Sequence, residues 1–384
     1  MSTAPSGHEK NPAAAAREAA TRDPAIPAAP TPDEELDAVR AGDEPSFAAV
    51  VERHRTELRV HCYRMLGSLE DAEDLVQETF LRAWKNLGTF EGRSTLRAWL
   101  YRIATNACLD ALDGRARRVL PQHLEPPSAP DAPRPPRTDI AWLQPLPDRL
   151  AEPDAGWEPV ADSDAEPDAA VVARETIELA FLAAIQHLPA RQRAVLILRD
   201  VVGWPASDTA AALSGSVASV NSALQRARAT LREHLPRRRL DWAPSAAPTE
   251  AERAVLRRYL EAVERTDLAA LACLLAEDVR TAMPPYPHWF LGRDAVLAAL
   301  AASWDPDSPH WAGRFRMVET SANRQPAAAA YVRGRGDTAY RAFGIGVLRV
   351  EDGRIAELTA FHDPGLFPAF GLPVALPPEH RPAW

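Results

Sequence analysis

Residues Gly67–Trp84 read GSLEDAEDLVQETFLRAW, and their spacing predicts a strongly two-faced helix. Ser68 with Asp71 makes a capping-box-like start. Ala72, Leu75, Val76, Phe80, Ala83 and Leu87 follow at helical intervals, so they line one side. Glu70, Asp71, Glu73, Asp74, Gln77 and Glu78 occupy the other. Two readings of that acidic face stand side by side. It can complement the positive end of the helix dipole, or it can meet a basic partner.

Working outward, a loop Thr89-Phe90-Glu91-Gly92-Arg93-Ser94 follows Gly88. A second amphipathic helix then starts at Thr95, with Leu96, Trp99, Leu100, Ile103 and Ala107 on one side. Phe90, Arg93, Ser94, Arg97 and Arg102 surround this loop and helix, with Trp99 and Tyr101 interleaved. Basic and aromatic residues together suit single-stranded nucleic acid, although the spacing of Trp99 also fits a core position. Further on, Leu188-Pro189 precedes a helix over Ala190–Val202, a short helix Ala206–Leu213, a Ser214-Gly215-Ser216 turn and a long helix from Val217. Gly215 is expected to supply the left-handed residue that ends the short helix. Val217, Val220, Leu224, Ala227 and Leu231 are expected to form the buried seam. Ser219, Asn221, Ser222, Gln225, Arg226 and Arg228 remain on the surface. That pattern fits a helix-turn-helix with base readers early and phosphate-binding Arg later, and an ordinary αα-hairpin is the competing reading.

Composition divides the rest. Residues 1–32 are Ala/Pro-rich without a periodic apolar face, which predicts a disordered tail. Residues 33–118 and 170–239 are helical in pattern, and 119–169 are proline-rich and acidic, a linker by composition. Within it, Asp139–Leu150 (DIAWLQPLPDRL) is more apolar and suited to docking on a surface. Formal net charge is −9, which argues against DNA binding through bulk positive charge but leaves room for a local basic surface. No run is long and apolar enough to span a membrane, and no signal peptide is visible, so the expected compartment is the cytoplasm. Cys62, Cys108 and Cys273 show no CxxC pairing; buried free thiols are expected, with no metal and no cofactor.

The stretch at 67–84, followed by FEGRSTLRAWLYRIATNACLDAL, resembles region 2 of extracytoplasmic-function sigma factors over about 60 residues. LPARQRAVLILRDVVGWPASDTAAALSGSVASVNSALQRARATL is similar to their region 4. The resemblance implies a promoter-recognition subunit whose partners are promoter DNA and core RNA polymerase, at its β′ clamp and β flap. It implies that Asp71, Asp74, Gln77 and Glu78 face polymerase. It implies that Leu87–Ser94 captures a flipped −10 base, with Phe90, Arg93, Ser94, Arg97 and Arg102 as DNA contacts. Ser219, Asn221, Ser222, Gln225, Arg226 and Arg228 would contact the −35 element. Two departures stand out: a sparse Arg run at Asp113–Arg118, and Asp208 as the short helix's acidic residue.

Residues 249–370 change pattern: two helices, a strand, a helix at Arg293–Ser303 and three or four strands, followed by a tail at 371–384. Glu351-Asp352-Gly353-Arg354 is a hairpin signal. The order predicts helices in the mouth of a curved antiparallel sheet, an α+β unit that resembles the SnoaL-like cone. The whole is therefore expected to be multidomain: two all-α domains joined by a Pro-rich linker, plus the cone. Tyr286, His288, Trp289, Trp311, His362 and Asp363 are expected to line its pocket. Enzymes of this fold use a pocket Asp or His as acid or base, but no catalytic Asp aligns. The expectation is therefore no enzyme, but a regulatory unit that takes a small-molecule or protein ligand. The tether, Arg237–Pro248, is short enough to favour action in cis. The competing reading is a SnoaL-like enzyme or sensor fused to a DNA-binding regulator. A plain regulator needs neither the acidic helix nor the base-capturing loop.

Overall fold

The computed structural model describes residues 37–90, 95–130, 135–151, 177–235 and 247–378. The tail 1–32, Arg93, Ser94 and the basic run 237–239 lie outside them.

Among the described residues, the first unit is built chiefly by α1 (Glu44–Leu66), α2 (Leu69–Lys85) and α3 (Leu96–Leu112). Ser68 caps α2 by accepting from the Asp71 amide, and Thr95 caps α3 the same way from Ala98. Ala72, Val76, Phe80 and Ala83 of α2 are buried against α1 and α3, as the apolar spacing requires. Between α1 and α2, Gly67 is left-handed at φ 68°, and a Cβ there would sit 2.7 Å from Leu143 Cδ1. Backbone and neighbour both demand glycine at this corner.

The second helical unit holds α4 (Leu179–Ile185), α5 (Ala190–Leu196) running into a π-helical turn (Ile197–Val201), α6 (Ala206–Ala212) and α7 (Val217–His234). Two expectations are corrected here. Ser214, not Gly215, takes the left-handed backbone at φ 50°. At Gly215 a Cβ would crowd Arg191 Nη2 at 3.0 Å and Ser219 Oγ at 3.1 Å, contacts that small shifts of those side chains can relieve. Val217 is 45% exposed, because the first residue of α7 overhangs its partner helices and the seam begins at Val220.

The third unit begins with α8 (Glu250–Glu264) and α9 (Leu268–Leu274), then β1 (Leu275–Ala282), β2 (Trp289–Leu291) and α10 (Arg293–Trp304). Strands β3 (Arg314–Ala322), β4 (Gln325–Arg333), β5 (Tyr340–Glu351), β6 (Arg354–Phe361) and β7 (Ala375–Leu376) complete it. Sheet order is β2-β1-β6-β5-β4-β3, with β7 on β5. The sheet is mixed rather than wholly antiparallel, because the chain enters it at β1 alongside β6 and runs parallel to it. At Glu351–Arg354 the hairpin forms as expected, with Asp352 and Gly353 both at positive φ. Strand alternation gives the sheet two dry faces. Met317, Ala328 and Leu348 face α8–α10 in one core. Ala327, Ala329, Tyr331, Ile345 and Val347 face the other way, into a core shared with both helical units.

Of the thiols, Cys62 and Cys108 are buried, but Cys273 is exposed on α9, whose outer side meets solvent. Among the described residues no helix is long and apolar enough to cross a membrane.

Candidate functional site

On α2, Asp74 and Gln77 are exposed and Glu78 is half-buried, pairing with Arg82 at 2.8 Å. Leu81, 55% exposed, lies one turn further along the same side. Period counting misses Leu81 because it breaks the apolar pattern of α2. Asp71 is placed differently: Arg118 Nη2 holds it at 2.6 Å and Arg115 approaches to 3.7 Å.

At the described start of the loop after α2, Phe90 is anchored rather than presented. Phe90 is buried, its ring 5.2 Å from that of Trp99 and under the Arg40 guanidinium. Arg97 donates to Glu57 Oε2 at 2.7 Å and lies over the Tyr101 ring. Burial opposes ionisation of Glu57, yet the His54 and Arg97 contacts hold its carboxyl below the usual range. Arg102 is exposed. Phe90 and Arg97 are therefore occupied within the helical unit, which leaves Arg102 as the accessible cation of the described set.

On α7 the surface candidates separate by their partners. Ser219 is spent on the cap: its hydroxyl accepts from the Ser216 amide and donates to the Ser216 carbonyl. Ser222 Oγ accepts from Arg226 Nη1 at 2.6 Å, and Asn221 and Gln225 are exposed. Arg228 makes a two-pronged pair with Asp200, at 2.9 and 3.0 Å. Asp200 is 6% exposed, so this is a buried contact between α7 and the π-helical turn. The expected phosphate contact of Arg228 gives way to a role in holding α7 on the π-helical turn. Arg228→Ala is expected to lower the stability of this unit by about 3 kcal/mol, the low end for breaking a buried pair. Asn221→Ala and Arg226→Ala should leave the melting temperature unchanged. Each should instead cost about 1–3 kcal/mol in discrimination between a true and a scrambled −35 element, read by competition binding.

The linker binds all three units. Leu143 and Leu146 are fully buried, so the apolar segment at 139–150 docks. Gln144 Oε1 accepts from Ser68 Oγ and from the Leu69 amide, capping the start of α2. Tyr63 of α1 donates to the Gln144 carbonyl at 2.7 Å. The tip of the β3–β4 hairpin inserts beside it. There Asn323, fully buried and at φ 57°, donates through Nδ2 to Tyr63 Oη and to the Ile177 carbonyl. Its Oδ1 accepts from the Leu146 amide. Next to it Asp148 accepts from the Arg324 amide, and Gln325 Oε1 from the amide of Leu179, the first residue of α4. Arg193 of α5 closes the junction by donating to Met65 at the end of α1 and to Gln186 and Leu188.

Three histidines from distant segments meet nearby. His187 stacks on His234 with ring centroids 3.9 Å apart, and His123 meets His187 edge-on at 5.3 Å. Arg117 donates to His187 Nδ1 at 2.9 Å, so that nitrogen is an acceptor and the ring is neutral. Burial, with Arg117 and His234 adding to it, pushes both His123 and His187 down to about 4; Arg280 also bears on His123. A depressed histidine favours the packed arrangement while neutral. That contribution is complete above the ordinary value of about 6.5 and fades as pH falls towards about 4. Acidification from pH 7 to pH 5 is expected to speed backbone hydrogen exchange in residues 119–125 once the intrinsic rate change is removed. The His123→Gln, His187→Gln variant should not respond.

In the cone, the structure gathers part of the expected pocket. Tyr286 stands 5.4 Å from His288 and 5.5 Å from His362, and Phe343 lies 4.6 Å from His362. Burial, reinforced by His288, pushes His362 down to about 4, so it is neutral. Three expected members fall elsewhere. Trp289 points opposite to His288 and Phe290 along β2, and its indole donates to the Glu125 carbonyl of the linker. Asp363 caps the turn after β6 by accepting from Gly365. Trp311 precedes β3 and is covered by Arg335. What remains is an aromatic and imidazole cluster without a carboxylate among its gathered members.

A three-helix unit with an exposed acidic face, joined by a docked linker to a helix-turn-helix, is the layout of a sigma-type promoter-recognition protein. The family description Sigma-70 region 2 matches residues 50–118, Sigma-70 region 4 matches 178–231, and a SnoaL-like domain matches 256–358. Over 340 residues the chain is 45% identical to the ECF RNA polymerase sigma factor SigG of Mycobacterium tuberculosis, covering 88% of this chain and 86% of that one. It is 30% identical over 200 residues to the ECF RNA polymerase sigma factor SigW of Bacillus subtilis, covering 51% of this chain and 92% of that one. The crystal structure of the M. tuberculosis extracytoplasmic function sigma factor SigJ matches with a TM-score of 0.53 at 22% identity, covering 85% of this chain and 99% of that one. The chain belongs to the extracytoplasmic-function sigma factors, which direct promoter recognition in transcription initiation.

Proposed function

We propose that this sigma factor binds core RNA polymerase through Asp74, Gln77, Glu78 and Leu81, and that its cone holds it in a closed state that cannot engage a promoter. In this proposal Arg102 contacts the −10 region, and Asn221, Gln225 and Arg226 read the −35 element. The observation that carries the closed state is Asn323, whose amide ties α1, the linker and the chain entering α4 to a single hairpin tip. Geometry explains why closure matters. The −10 and −35 elements are about 25 base pairs apart, roughly 85 Å at 3.4 Å per pair. Here the two helical units touch directly, through Arg193 and Met65. Reading both elements at once therefore requires the linker to leave its groove. Closure also keeps Gln144 on the start of α2 and Arg118 on Asp71, next to the polymerase-facing side.

In this proposal the cone acts as a regulator, and the cluster of Tyr286, His288 and His362 is where a ligand would bear on it. A ligand at that cluster shifts closure only by its difference in affinity for the two states. The experiment is run-off transcription with purified core polymerase, comparing the full chain with one ending at residue 239. The shortened chain is expected to give more transcript at equal concentration. Equal output and equal promoter affinity would show that the cone does not restrain the helical units.

A further inference from the structure

At the end of the sheet far from the hairpin tip lies a second charged surface, which the sigma reading leaves unused. Arg314 on β3 and Arg333 on β4 are directly opposed in register. Like charges so placed repel modestly. Arg333 and Arg316 both lay their guanidinium groups on the Tyr340 ring, at 4.9 and 5.3 Å. Arg335 covers Trp311 at 5.3 Å and donates to the Pro306 carbonyl. Arg316 is neutralised by Glu264 at 3.2 Å. Among the described residues no carboxylate comes within 4.0 Å of Arg314, Arg333 or Arg335. The acid of the adjoining loop, Asp337, is instead occupied by the Gly334 amide. In a chain of net charge −9, these three neighbouring arginines have no carboxylate partner among the described residues.

We propose that this end of the sheet is a contact surface for the phosphate backbone of duplex DNA, independent of base sequence. Aromatic rings support the arginines from beneath rather than standing free, since Tyr340 is buried. Bases therefore find no stacking platform here, and the surface offers fixed guanidinium groups, which suit phosphate oxygens. Once the protein opens on a promoter, the cone lies on the same molecule of DNA that α7 reads, and this surface adds affinity without adding specificity. The proposal rests on the sigma reading, and the two fail differently.

The test uses the full chain with a short mixed-sequence duplex that lacks a −35 element, and follows binding by fluorescence anisotropy across salt concentration. Each phosphate contact contributes about 0.9 to the slope of log affinity against log salt. Arg314→Gln, Arg333→Gln and Arg335→Gln together are expected to reduce that slope by about 2 to 3. The matching triple lysine variant should recover most of it, which separates charge from folding. An unchanged slope in the glutamine variant overturns the proposal. So does a result in which duplex binding is unchanged while affinity for core polymerase falls, since that assigns the surface to an acidic protein partner. Promoter-selective run-off transcription that survives either outcome leaves the sigma reading standing.

Discussion

Asn323→Gly is expected to open the closed protein while leaving the cone folded. Glycine accepts the left-handed backbone at this turn, so the hairpin keeps its shape. What is lost is the amide. Tyr63 Oη, the Ile177 carbonyl and the Leu146 amide each lose a partner at a site where Asn323 itself is 0% exposed. A buried group left unsatisfied costs about 1–3 kcal/mol. Tyr63 Oη keeps its bond to the Gln144 carbonyl, so the Ile177 carbonyl and the Leu146 amide carry the cost, about 2–6 kcal/mol together, set against the ~5.5 kcal/mol that moves a two-state equilibrium from 1:99 to 99:1. Asn323→Ala should open the protein to a similar extent, and should in addition lower the stability of the cone by about 1 kcal/mol through left-handed strain in the hairpin. Small-angle scattering should show an increased radius of gyration, and promoter affinity with core polymerase should rise. Tyr63→Phe removes one member of the same network from the other side. Its effect and that of Asn323→Gly should be less than additive, because both delete one hydrogen bond. A compact scattering profile and unchanged promoter affinity for Asn323→Gly would remove the latch from the account of regulation.

How far the sequence foretells this arrangement depends on the range of the interaction. The acidic and apolar sides of α2 separate by period alone, so the helix and its face are legible from residues 68–87. Glu351-Asp352-Gly353-Arg354 announces its turn because glycine is needed at positive φ. The turn at Ala322-Asn323-Arg324-Gln325 has the same left-handed pair, at φ 57° and 59°, but no glycine, and it passes unnoticed. That turn is the proposed latch. Charged side chains are the least legible. Arg97, Arg228 and Asp71 look like surface charges in sequence, yet Glu57, Asp200 and Arg118 claim them from 28 to 47 residues away. Gln144 caps a helix that begins 75 residues earlier, which no local rule reaches. Chemistry alone assigns Trp289 to the pocket. Strand alternation turns it out to the linker instead, and the alternation becomes usable only once β2 has been placed.

Asp74→Lys with Glu78→Lys is expected to abolish binding to core polymerase and to leave the fold intact. Asp74 is exposed and Glu78 half-exposed, so neither substitution opens a cavity. Arg82 loses Glu78 but keeps Asp110 at 3.2 Å. A lysine at position 78 would repel Arg82 by only a few tenths of a kcal/mol, the usual cost of like charges four residues apart. Melting temperature should therefore move little. Binding should change far more, because two attractive contacts with a basic surface become two repulsive ones, and unpaired like charges at an interface cost several kcal/mol. Closure could mask the result, since a protein that never opens also fails to bind. The decisive comparison places the two lysines in the Asn323→Gly background. There the latch is released, the parent binds polymerase strongly, and the charge-reversed protein should still fail in a pull-down. Leu81→Ala in the same background should weaken binding by less, by about 1.5–3 kcal/mol if its side chain is fully buried in the complex. Retained affinity in the doubly reversed, unlatched protein would move the polymerase contact off α2.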